Sequence, residues 1–141
     1  MTSLRCKRGY TMVDMAVVLL LIGAAMGTSG PLSRRMIALY QLNTATQTLA
    51  ADLSQAKIRA IQSNALEAVE RESSRDYRAA GYPRRLPGMV RFDAESAETV
   101  VFNGLGAMSD GASHRFVLVN LYGETREIVI YAAGGHEVRK L

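Results

Sequence analysis

Read for hydrophobic and polar positions, the chain changes its pattern three times. A run without charged or strongly polar side chains extends from Met15 to Met26, with one carboxylate, Asp14, at its edge. Past Pro31 the period becomes helical: Leu39, Leu42, Leu49, Leu53, Ala56 and Ala60 step by threes, fours and one seven, while Gln41, Asn43, Gln47, Asp52 and Lys57 fall mostly elsewhere. This spacing predicts an amphipathic helix with a small-residue stripe that packs on a sheet. Continued from the apolar run to about Asn64, at about 1.5 Å per residue, such a helix exceeds about 70 Å.

From Ala65 to Pro87 the composition turns charged, with four acidic and five basic residues and two prolines. Glu67 to Arg75 reads as a helix continuation or a solvated segment, and Ala79 to Gly88 as a loop broken by Gly81, Pro83 and Pro87. After Gly88 the period shifts toward two and β-branched residues accumulate. Strands are predicted at Met89 to Phe92, Thr99 to Phe102, Arg115 to Tyr122, Glu127 to Tyr131 and Glu137 to Lys140, with a hairpin turning at Gly123. Helix first and antiparallel strands after predicts an α+β fold with the sheet against the helix stripe.

Charge sharpens this picture. The formal net charge is +4, but Arg5, Lys7 and Arg8 all precede Gly9, and a cut there leaves fourteen basic against thirteen acidic side chains. A generally basic binding surface is therefore not implied. Cys6 is the only cysteine, which excludes an internal disulfide and a multi-cysteine metal site. An ionised carboxylate in hydrocarbon costs about 2.5–3.5 kcal/mol even on lenient scales, so Asp14 calls for a compensating charge. The apolar run fits either a secretory signal peptide cut near 24–30, giving a start at about Ser29, or a retained membrane segment.

The stretch "KRGYTMVDMAVVLLLIGAAMG" resembles the signal of type IV pilins and type II secretion pseudopilins. The resemblance implies cleavage after Gly9 by a prepilin peptidase, methylation of the new N-terminus at Tyr10, and an Asp14 that neutralises an N-terminal ammonium during filament assembly. Pro31 falls where pilins commonly carry a helix-bending proline. Aspartate stands at position 14 where the family usually has glutamate. It implies a leader at 1–9, a transmembrane and assembly helix at 10–30, and a periplasmic pilin-like head at 31–141, in a single-pass inner-membrane protein. Its partners would be the prepilin peptidase, the inner membrane and other pilin or pseudopilin subunits.

"LNTATQTLAADLSQAKIRAIQSNA", "VVFNGLG" and "AGGHEVRKL" resemble, more narrowly, the minor pseudopilin H and T-type minor pilin family, with counterparts at Ala56-Lys57, Phe102 before Gly104, and Gly135-His136. The T-type members suggest an alternative role in capturing DNA. The candidate contacts are Arg139 and Lys140, with Arg84, Arg85 and Arg126, although Glu137 interrupts the terminal basic cluster.

Catalytic patterns do not form. His114 and His136 lack metal-ligand spacing, "GLGAMSDG" sits between strands and opens no helix, and no GxSxG or SxxK occurs. No enzyme, cofactor or metal is expected.

Overall fold

The computed structural model describes residues 12–27 and 29–140, with the side chains of 25–32 left out of the description. The chain divides after Arg35 into two units. Helix α1 spans Met12–Gly27 and α2 spans Ser29–Ser63. Gly30 and Pro31 fall in the first turn of α2, where a proline's missing N–H costs no intrahelical bond.

The stop at Ser63 has a local cause. Asn64 takes a left-handed conformation (φ 48°), its N–H reaches the Ile61 carbonyl at 3.4 Å, and the Ala65 N–H reaches that of Ala60 at 3.2 Å. This is a Schellman cap with asparagine in place of the usual glycine. The helix therefore does not continue into the charged stretch.

That stretch is the main correction to the sequence reading. It forms β1 (Glu67–Arg71), β2 (Asp76–Ala79) and β3 (Tyr82–Arg85). Charged residues alternate with Val69, Tyr77 and Ala79, which are buried, and this is a strand's period of two. The expected loop at 79–88 is instead a hairpin whose two turn residues, Ala80 and Gly81, have φ of 49° and 80°. Positive φ at both centres is the primed turn that matches strand twist.

The remaining strands are β4 (Val90–Phe92), β5 (Thr99–Phe102), β6 (His114–Asn120), β7 (Thr125–Ile130) and β8 (His136–Lys140), close to expectation. They form two antiparallel sheets, ordered β3-β2-β1-β5 and β4-β6-β7-β8. The β6–β7 hairpin turns at Gly123 (φ 80°), with Asn120 Oδ1 accepting from the N–H groups of Tyr122 and Glu124.

The predicted stripe lies in the core: Leu42, Leu49, Leu53, Ala56 and Ala60 are buried with Val69 and Phe102 of the first sheet and Phe116, Leu118 and Ile128 of the second. Leu39 is only half-buried. Tyr77, Phe92 and Phe116 form an aromatic chain between the sheets, with centroids 5.9 Å and 5.8 Å apart. Two backbone bonds also join them. Phe92 N–H donates to Ser74 O at 2.8 Å, while Met108, bridged to Phe102, donates to Ala132 O at 2.9 Å.

Candidate functional site

Asp14 lies on α1. Around it Met12, Val13, Met15 and the run from Val17 to Ile22 are exposed. An apolar surface on every side of a helix requires other apolar groups to cover it. Among the described residues no helix is long and apolar enough to cross a membrane. Gly9 and Tyr10, the expected processing site, lie outside the described residues, as does the side chain of Pro31.

The helix α2 carries a second apolar face that the sequence reading did not single out. Met36, Tyr40, Ile58 and Ile61 are exposed, Tyr40 at 73%. Gln47, Ala51 and Ser54 fall between them at helical steps, on the side away from Leu42, Leu49 and Leu53. Burying such side chains is worth about 25 cal/mol per Å² of apolar surface. The stronger inward leucines mask this face in a simple periodicity search.

Position 52 is a further correction. Asp52 was expected on the polar face but is only 6% exposed. Tyr77 Oη donates to Asp52 Oδ2 at 2.7 Å, and Arg84 Nη2 lies 3.5 Å from Oδ1. A buried carboxylate requires such partners. Nearby, Arg59 donates to the Ala80 carbonyl at 3.1 Å and lies 5.2 Å from the centroid of the Tyr82 ring. These contacts fasten the β2–β3 hairpin to α2.

Burial, then the hydrogen bond to Asp52, pushes the Tyr77 phenol well above its ordinary value of 10.0. The folded state therefore holds this proton more tightly than the unfolded state. The resulting stabilisation is whole below pH 10.0 and declines as pH rises toward the raised value. Tyr77→Phe is expected to lose about 1–3 kcal/mol at neutral pH. In urea melts at successive alkaline pH values, the gap between wild type and variant narrows; a constant gap would refute the coupling.

The candidate DNA contacts fall on edge strands of different sheets. Arg84 and Arg85 lie on β3, Arg139 and Lys140 on β8. Arg84 faces Asp52, Arg85 Nε lies 3.3 Å from Asp76, and Arg139 Nη2 lies 2.8 Å from Glu137. Arg126 spends a guanidinium donor on the carbonyl of Thr125 and pairs across the ladder with Lys140. The Glu137 carboxyl is held below its usual range by Arg139 first and by Tyr131 second. His114 lies 2.6 Å from Asp110, and His136 is exposed on β8. Among the described residues no group of His, Cys, Asp and Glu is gathered in a metal-binding arrangement.

No family model and no curated protein sequence matches the chain. Two crystal structures of the type IV minor pilin FimU from Pseudomonas aeruginosa are similar in fold, with TM-scores of 0.59 and 0.57 at 16% and 15% identity. They cover 71% and 70% of this chain, and 89% and 92% of FimU. The fold is the type IV pilin fold. In that pilin fold α2 supplies the helix and its inward stripe supports the two sheets.

Proposed function

We propose that this protein is a minor pilin or pseudopilin, a structural subunit processed after Gly9, methylated at Tyr10, and incorporated into a type II secretion pseudopilus or type IV pilus. The carrying observation is the two-sided helix of a pilin fold: one face of α2 holds the head together, and the other presents Met36, Tyr40, Ile58 and Ile61. The apolar surface of α1 extends the requirement for covering partners. In this reading residues 1–9 are a leader, 10–30 insert in the inner membrane and enter the filament, and 31–141 form a periplasmic head. Asp14 pairs with the Tyr10 amine of a neighbouring subunit, and the Gly30-Pro31 pair lets the helix bend.

The test is the N-terminal residue and intact mass of the chain recovered from membranes of cells carrying a prepilin peptidase. A start at Tyr10 with one added methyl group is expected. A start near Ser29 would place the protein among ordinary secreted domains and end this proposal.

The DNA-capture alternative draws on Lys140 and on the arginines of β3 and β8. Three of those arginines already face carboxylates at 2.8–3.5 Å, which offsets the phosphate attraction such binding requires. The structural role is therefore the better supported of the two.

A further inference from the structure

Two arginines beside one cleft of the head have no direct ion-pair partner among the described residues. Arg75, in the β1–β2 turn, and Arg91, on β4, make no ion pair and no side-chain hydrogen bond with any described residue. Arg75 Nε is moreover a buried donor without an acceptor. Such a group costs about 1–3 kcal/mol unless something completes it.

Both arginines line one cleft of about 530 Å³, whose other walls include Met89, Val119, Asn120 and Leu121. No carboxylate lines it. Asn120 is committed elsewhere, its side-chain oxygen holding the hairpin turn and its nitrogen donating to Glu124 at 2.8 Å. Gly88 also lines it, with Arg75 Nη2 close by. The cleft thus offers two guanidinium groups over an apolar wall. A guanidinium presents a planar fork of donors that matches a carboxylate.

We infer that this cleft binds a single carboxylate carried next to an apolar side chain on a protein partner. The adjoining surface decides against a polyanion. The cleft on the other side of Arg91 is lined by Arg71 and by Glu70, Glu72, Asp93 and Glu98; Glu72 and Glu98 face Arg78 and Arg71, and the surplus of carboxylates disfavours an extended nucleic-acid or polyphosphate backbone more than one compact anion. The inference rests on the assembly reading for the identity of the partner, a neighbouring filament subunit.

The experiment uses the full chain in detergent micelles and follows arginine Nε–H resonances by NMR. The probes are acetyl-Leu-Glu-Val-amide, acetyl-Leu-Val with a free C-terminus, the Gln counterpart of the first peptide, and inorganic phosphate. The Arg75 and Arg91 signals are expected to shift with the carboxylate peptides, and the Gln peptide to bind at least about tenfold more weakly. The stronger carboxylate peptide identifies the source as an acidic side chain or a chain end. Arg75→Gln is expected to reduce that affinity about tenfold as well. Equal shifts with the Glu and Gln peptides, or phosphate binding as tightly as the peptides, would overturn the inference. If the chain enters filaments from Tyr10 yet no peptide moves Arg75 Nε–H, the cleft inference fails and the assembly reading stands. If the chain starts near Ser29 but the peptides bind, the assembly reading fails and the carboxylate site remains.

Discussion

Gly134→Ala is expected to destabilise the head by about 3 kcal/mol or more, from a strained backbone and an overpacked contact together. Gly134 has a φ of +77°, a region that side chains rarely enter. A Cβ there would also run into the carbonyl oxygen of Gly106 and approach the Ala107 Cα at 3.3 Å. Both neighbours are backbone, so no rotamer change relieves the contact. Two other glycines separate these causes. Gly123 has a φ of +80° but open space around it, and its alanine variant is expected to lose only about 1–2 kcal/mol. Gly135 has neither restriction, and its variant should stay within about 0.5 kcal/mol of wild type. Urea unfolding of the full chain in detergent checks the order. A Gly134→Ala midpoint no lower than that of Gly123→Ala would show that the two loops separate at little cost.

Asp14→Ala is expected to leave cleavage after Gly9 largely intact while cutting recovery in sheared filaments by about a hundredfold or more. The magnitude follows from removing one partner of an ion pair in a low-dielectric core, about 3–5 kcal/mol. Asp14→Glu should retain incorporation, because it keeps the charge and extends its reach by one methylene. Normal recovery of the alanine variant would remove the proposed pairing with Tyr10 while leaving the outward face of α2 as the assembly contact.

The α+β class, the inward stripe of α2 and strands β4 to β8 were legible because their apolar residues recur at helical or strand spacing. The first three strands were not. Their outward positions are mostly Glu and Arg, with Tyr82 and Pro83 on the fully exposed β3, their buried ones only Val69, Tyr77 and Ala79, and the turn is Ala-Gly instead of Asn-Gly. The helix stop was encoded locally in Asn64, but asparagine is a weaker terminator than glycine. Asp52 was misplaced for a different reason: its partners lie 25 and 32 positions further along the chain. Strand pairing likewise hid the cleft, since the neutralisation of Arg84 and Arg85 and the unpaired state of Arg75 and Arg91 depend on which elements meet. A count of basic residues ranks the paired and unpaired arginines equally.

The two backbone bonds between the sheets, Phe92 to Ser74 and Met108 to Ala132, lie near opposite ends of β1. They tie the sheets beside β4 and β5, while β3 and β8 stay the outer strands. Opening the charged hairpins breaks bonds that also hold the C-terminal sheet, so amide exchange and proteolytic access to the two sheets draw on one shared event. At those two borders, opening one sheet loosens the other with it.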